Sequence, residues 1–135
     1  MNIRRIADGD LLELTDMFAR CSRQTIYRRF HGYLRAFPEP YFSDAVKGAP
    51  GHVALVAQSA GQIVALASSV TLDDGSCEIG ILVEDGYQRQ RIGSRMLERL
   101  VAHAGTRTVR ATIQPDQRWI VPVLLRHENI RIVLH

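Results

Sequence analysis

The sequence predicts an α/β fold, a mixed and mostly antiparallel sheet flanked by helices in the order β-α-α-β-β-β-α-β-α-β. Three observations carry this. Helical stripes fill the early part of the chain, three β-rich runs joined by tight turns follow, and one long amphipathic helix then separates two further strands. A strand–helix–strand step inside an antiparallel meander gives a mixed sheet rather than alternating βαβ units. With 135 residues, 46% of them hydrophobic, the chain has the size and apolar content of one domain, and residues 1–135 are expected to form a single unit.

The elements can be justified in order. "NIRRI" alternates like a short edge strand, and Asp8 and Asp10 are capping candidates for the helix "LLELTDMFARC", in which Leu11, Leu14, Met17 and Phe18 form one stripe. Ser22 is placed to cap a second helix, "RQTIYRRFHGYL", with Ile26, Phe30, Tyr33 and Leu34 on a common face. The stretch "AFPEPYFSDAVKGAPG", carrying Pro38, Pro40 and Pro50, reads as an irregular connection lining a site. "HVALVAQS", "QIVALASSV" and "CEIGILVE" are strands of a meander, joined by "AG" and by "LDDGS". "IGSRMLERLVAHAG" is the long helix. Ile92, Met96, Leu97, Leu100, Val101 and Ala104 share one side, Arg95, Arg99 and His103 the other, and Gly105 ends it. "TRTVRATIQ" alternates as a strand, "DQRWIVPVLLRH" is a helix disturbed by Pro122, and "IRIVLH" is a short last strand.

Composition narrows the function. No window approaches the ~18 apolar residues of a spanning helix, and no apolar run follows the arginines of "MNIRRIADGD", so a soluble cytoplasmic protein with no membrane partner is expected. Cys21 and Cys77 lie far apart and outside any CxxC, which supports neither a disulfide framework nor zinc, and His31, His52, His103, His127 and His135 show no metal spacing and read as surface or edge residues. No metal is expected. The formal charge is +3 and the pI about 9.2, with arginine supplying every basic residue except Lys47. Arginine suits anionic partners. Nucleic-acid binding would rest on charge alone, without aromatic interleaving or a reading-helix motif, and no nucleic-acid partner is expected.

The junction "EDGYQRQRIGSRML" joins a strand to the long helix. Unpaired N–H groups and the positive dipole end near Ile92 can hold phosphate oxygens, small Gly93 and Ser94 allow close approach, and Arg89 and Arg91 add charge. The same features also open many helices that bind nothing.

The run "EIGILVEDGYQRQRIGSRML" resembles the acyl-CoA-binding segment of the GNAT superfamily of N-acyltransferases, in which a strand leads to Gln/Arg-x-x-Gly-x-Gly/Ala and a long helix. Gln88 takes the leading position and Gly93 the closing one, while Arg91 stands where the pattern has its first glycine. The order of elements through most of the chain is similar too, and "CSRQTIYRRFHG" resembles the second-helix region of GNAT domains of bacterial protein-lysine acetyltransferases. The resemblance implies a single GNAT-like acyltransferase domain with a shortened C-terminus. It implies an N-acetyltransferase that moves an acetyl group from acetyl-CoA, a co-substrate, to a primary amine on a protein lysine or a small molecule.

Residue by residue, the likeness implies that Ile81, Leu82 and Val83 lend backbone groups to the pantetheine arm and that Gln88, Arg89, Gln90, Arg91, Ile92, Gly93 and Ser94 cradle the pyrophosphate. It makes Glu78 the general base that frees the amine of its proton, directly or through water. A solvent-facing or arginine-paired strand glutamate is the other reading of Glu78, and Glu84 and Asp85 read as turn residues. Arginine at position 91 is tolerable if the backbone there keeps ordinary helical angles, and it obstructs the site if glycine is needed. Many members carry an asparagine and, further on, a tyrosine that protonates the leaving thiolate. Here Gln117 and about Leu124 stand in those places, leaving that step to solvent, since a thiol has a reference pKa of ~8.5. The alternative is a catalytically weak or inactive GNAT-like module that binds acyl-CoA or a protein partner. The edge of "IRIVLH" or the apolar face of the Trp119 helix is expected to meet a second copy in a homodimer.

Overall fold

A computed structural model describes residues 1–30, 32, 34–49, 51–104, 108–113, 121–124, 126 and 130–134. The elements in chain order are β1 (Asn2–Arg5), α1 (Leu11–Arg20), α2 (Arg23–Phe30), α3 (Glu39–Lys47), β2 (His52–Ser59), β3 (Gln62–Thr71), β4 (Cys77–Val83), α4 (Ile92–Ala104), β5 (Val109–Ile113), α5 (Val121–Leu124) and β6 (Ile130–Leu134). Single 3₁₀ turns lie at Asp8–Asp10 and Asp85–Tyr87. The strands form one sheet in sequential order, β1 to β6. Pairing is antiparallel from β1 to β4 and parallel from β4 to β6, so the mixed, mostly antiparallel sheet expected from the sequence is present.

Side-chain alternation divides the sheet into two apolar faces. On one, α4 lays Ile92, Met96, Leu97, Leu100, Val101 and Ala104 against Leu55, Val64, Ile79 and Val109. On the other, Leu14, Met17 and Phe18 of α1, Ile26 of α2 and Phe42 and Ala45 of α3 cover Val56, Ile63, Leu66 and Leu82. Burial of these side chains is the main favourable term, roughly 1.5–3 kcal/mol for each large one.

The Ala60-Gly61 turn joins β2 to β3 with both residues at positive φ, as a two-residue hairpin requires. Ser22 caps α2 as expected, its Oγ accepting the Thr25 N–H at 3.1 Å.

Three expectations need correction. The proline-bearing stretch is not wholly irregular: α3 forms within it because Pro40 falls in the first helical turn, where its missing N–H has no intrahelical acceptor to lose, and Gly48, left-handed at φ 62°, closes the far end. α2 stops at Phe30, leaving Leu34 exposed beyond it instead of on the apolar stripe. Asp10 does not cap α1 through its side chain. Its oxygens instead accept both Arg4 guanidinium nitrogens, each at 2.8 Å, and the Ala7 N–H at 2.7 Å. Gly105, Tyr33, Gln117 and Trp119 lie outside the described residues.

A fourth correction concerns the start of α4. Arg91 has φ 64° and Arg89 φ 63°. The backbone at position 91 is therefore left-handed, not helical, because it reverses from the preceding turn into α4. A side chain there costs roughly 1–2 kcal/mol.

Two outcomes follow from this packing. Arg4 hydrogen bonding, opposed by burial and aided by the Ala7 N–H, holds the Asp10 carboxyl below its ordinary value. Between that lowered value and the unfolded one near ~3.9, the unfolded chain binds more protons. The contribution of Asp10 is thus complete above about pH 4 and disappears as pH falls further. Asp10→Asn should cost about 1–3 kcal/mol at pH 6 and much less at pH 3, read from urea unfolding midpoints. Arg91→Gly should raise stability by about 1 kcal/mol, because relief of the left-handed strain exceeds the added chain entropy of glycine, and a thermal melt reads the gain.

Candidate active site

The two edges of β4 are bonded differently. One runs antiparallel to β3 over its whole length, from Cys77 opposite Thr71 to Val83 opposite Ala65. The other meets β5 in parallel only at Cys77–Val109, Glu78–Arg110 and Ile79–Ala111. β5 then continues beside β6 to Ile113. The two strands part after Ile79, and among the described residues the β5-facing edge from Gly80 to Val83 has no strand partner. Backbone groups on such an edge need hydrogen bonds, which an extended chain lying in the gap can supply.

Ile81 and Val83 turn their backbone groups to that edge, whereas those of Leu82, opposite Leu66, face β3. Leu82 turns into the core under α1 to α3, and Ile81 and Val83 pack half-buried on the α4 side. Their side chains fix the strand and leave its outer edge as backbone. The Val83 carbonyl accepts from Gln88 Nε2 at 2.9 Å.

From Val83 the chain turns toward α4, and side chains from α1 and α2 hold the turn. Glu84 accepts from Arg20 Nε at 2.6 Å, and Asp85 Oδ1 accepts the Ser22 N–H at 2.8 Å. Burial pushes the Asp85 carboxyl up, but the Ser22 and Thr25 donors outweigh it and hold its pKa below the ordinary value. Gln88 turns inward, its Nε2 donating to Thr25 Oγ1 at 3.0 Å as well as to Val83, and its N–H to the Asp85 carbonyl at 3.3 Å. It fastens the turn to α2. Tyr87 packs half-buried beside the α4 core.

The outer part of the turn is polar and open. Arg89, Gln90 and Arg91 are exposed, with Gln90 Nε2 donating to the Gly86 carbonyl at 3.2 Å. The Arg91 carbonyl accepts the Arg95 N–H at 3.1 Å, making Arg91 the first capping residue of α4. The N–H groups of Ile92, Gly93 and Ser94 consequently have no intrahelical acceptor. They lie at the positive end of a 13-residue helix. The positive φ at Arg91 just before helical residues draws successive N–H groups toward one concavity, suited to an anion. The structure thus brings residues 88–94 and the open edge of β4 to one end of the gap.

Glu78 lies at the other end, on the last paired stretch of β4, exposed and opposite Val70 and Arg110. Arg110 donates to Asp74 at 3.0 Å, and among the described residues no side chain bonds the Glu78 carboxylate. Alternation puts Glu78, Gly80 and Leu82 on the face covered by α1 to α3. That face also carries a polar group the sequence did not reveal: Arg29 of α2, Tyr41 of α3, His52 of β2 and Ser68 of β3. His52 is 8% exposed, so the expectation of a surface or edge histidine is wrong for it. Its parity with Ala54 and Val56 was the available signal, since both point into the core. His103 is exposed, and His31, His127 and His135 lie outside the described residues. Leu124 is described only in its backbone.

Comparison with known proteins agrees with this geometry. The acetyltransferase (GNAT) family profile matches residues 12–122. No curated protein sequence matches. The fold is similar to that of the GNAT domain of S. lividans PAT, with TM-score 0.77 and 21% identity over 92% of this chain and 78% of that one. It is similar also to yncA of Salmonella typhimurium, solved with its cofactor acetyl-CoA, with TM-score 0.74 and 17% identity over 93% and 77%. An N-acetyltransferase from Staphylococcus aureus Mu50 gives TM-score 0.72 and 18% identity over 93% and 80%. A profile match over most of the length and a sheet parted beside an open helix start lead to one assignment: the chain belongs to the acetyltransferase (GNAT) family.

Proposed function

We propose that the protein is an N-acetyltransferase that takes an acetyl group from acetyl-CoA and passes it to a primary amine. The observation that carries this is the parting of β4 and β5 after Ile79, which runs from a carboxylate at Glu78 that none of the described side chains bonds to the open N-terminus of α4. The residues present fit acetyl-CoA. The free edge at Ile81 and Val83 offers backbone groups to the amides of a pantetheine arm. Residues 88–94 offer N–H groups, small side chains at Gly93 and Ser94 and the charges of Arg89 and Arg91 to a pyrophosphate, with Gln88 bracing the turn from behind.

Bound acetyl-CoA supplies an activated acyl carbon. Glu78 takes a proton from the acceptor's ammonium group, directly or through water, so that the nitrogen lone pair can form the new C–N bond as the C–S bond breaks. The departing thiolate takes its proton from solvent. Among the described residues no helix is long and apolar enough to cross a membrane, and a cytoplasmic setting, where acetyl-CoA is made, suits this reaction.

The alternative, a module that binds acyl-CoA with little or no turnover, is favoured by the strained Arg91 at the turn. Calorimetry with acetyl-CoA beside a CoA-release assay separates the two. Glu78→Gln should keep acetyl-CoA affinity and lower turnover about 10²–10⁴-fold. An unchanged rate from pH 6 to 9 removes Glu78 from the reaction. Gly93→Leu should weaken acetyl-CoA binding at least tenfold in a chain that circular dichroism shows to be folded, and undiminished affinity moves the cradle elsewhere. We propose also that the outer edge of β6 pairs with a second copy across a two-fold axis. Sedimentation at micromolar concentration should give twice the 15.2 kDa of one chain, and a monomer mass rejects the dimer.

A further inference from the structure

Among the described residues, three buried side-chain atoms without a hydrogen-bond partner belong to side chains that pack together on one face of the sheet: Arg29 Nε, Tyr41 Oη and His52 Nε2. Strand register shows how near Glu78 they are. Directly paired residues point the same way, so one row across the sheet reads His52, Val70, Glu78 and the next reads Ala54, Ser68, Gly80. Glu78 and Gly80 are separated along β4 by roughly 7 Å, and His52 lies two strands from Glu78, roughly 10 Å.

The Arg29 guanidinium is held above this second row. Its Nη2 donates to Ser68 Oγ at 3.3 Å, and its Cζ lies 4.6 Å from the Phe30 ring centre and 5.4 Å from that of Tyr41. Beneath it the strand is bare: a Cβ on Gly80 would lie 2.6 Å from both Cζ and Nε of Arg29. The Tyr41 ring in turn stands edge-on to His52 at 5.1 Å between centres. Aromatic faces, a glycine and one hydroxyl therefore fix the guanidinium, while no carboxylate among the described residues pairs with it. Arg29 and Tyr41 are half-buried as residues, but the Nε of one and the Oη of the other are shut off from water, as is Nε2 of the buried His52, and a polar atom so enclosed without a partner is costly. Three such atoms on side chains packed together indicate a group that completes them.

We propose that Arg29, Tyr41 and His52 form a subsite for a carboxylate on the acceptor, so that the amine acetylated is that of a small carboxylate-bearing molecule whose nitrogen reaches Glu78. This rests on the acetyl-transfer reading and names its substrate class. One guanidinium beside a phenol and an imidazole carries a single positive charge, which matches a carboxylate better than a phosphate dianion. Burial, against a weaker pull from Asp44, keeps the His52 pKa below its ordinary value, and Arg29 lowers it further, so the imidazole is neutral near neutral pH and adds a hydrogen bond rather than a second charge. The spacing from Gly80 to Glu78 suits an amine several bonds from its carboxylate. A polyamine brings a second cation to Arg29 and is disfavoured.

The test uses two amines of equal length, ε-aminocaproate and hexylamine, with the whole chain. Calorimetry without acetyl-CoA should show ε-aminocaproate binding at least about tenfold more tightly than hexylamine. Arg29→Met should remove that preference. Tyr41→Phe, which keeps the ring, should melt at or above the wild-type temperature, since it deletes an unsatisfied hydroxyl, yet bind ε-aminocaproate several-fold more weakly. Equal affinity for the two amines, no binding of ε-aminocaproate by the wild type, or undiminished affinity in both variants overturns the proposal. A parallel acetyl-CoA titration keeps the two ideas apart: its failure removes the acetyl-transfer reading, while the comparison of amines still decides whether the carboxylate subsite exists.

Discussion

The separation of β4 from β5 is the constraint on which the rest of the site depends. Antiparallel neighbours can be joined by a two-residue turn such as Ala60-Gly61, but a parallel neighbour requires the chain to cross the sheet. α4 makes that crossing, and its apolar stripe against Val64, Ile79 and Val109 sets where it begins. Its start is thereby delivered to the mouth of the gap that opens after Ile79. An edge of free backbone and a helix end with unpaired N–H groups become neighbours by topology, before any particular side chain is considered.

Charged side chains divide between the scaffold and the site proposed above. Asp10, Glu84, Asp85 and Asp74 each accept hydrogen bonds that hold a turn or a strand end, whereas Glu78 is bonded to none of the described side chains. The arginines divide the same way. Arg4, Arg20 and Arg110 meet acids, Arg99 donates to the Ile3 carbonyl at 2.8 Å, and Arg29 is held by rings and a hydroxyl instead. A chain with one lysine and many arginines can build such fixed, planar contacts where flexible ammonium groups would not stay in place.

Much of this was legible in sequence because the signals were local and periodic. The buried stripe of α4 contains all six residues its spacing selects, with Gly93 added, and the meander follows from alternating runs broken by Ala-Gly and Asp-Gly. What escaped depends on position within a turn or on distant contacts. α3 was hidden because Pro40 looks like a breaker unless its place in the first helical turn is known. Asp10 looked like a cap because capping residues and ion-pair partners are the same residue types. The left-handed backbone at Arg91 could not be read from an arginine, and the cluster around His52 joins residues from two helices and two strands.

One consequence lies in the placement of the two thiols. Cys77 adjoins Glu78 in sequence, yet alternation sends its sulfur to the opposite face, 2% exposed in the core beneath α4, with Thr71 Oγ1 at 3.8 Å. Cys21 is buried against Met17, and burial, reinforced by Asp85 and Glu84, pushes its thiol up to about 12. Thiolates attack thioesters, so a sulfur facing the gap would compete with an incoming amine and become acylated itself. By turning one cysteine away and keeping the other protonated, the fold presents no thiolate to the gap, so a thioester bound as proposed would meet amines rather than the protein's own sulfur.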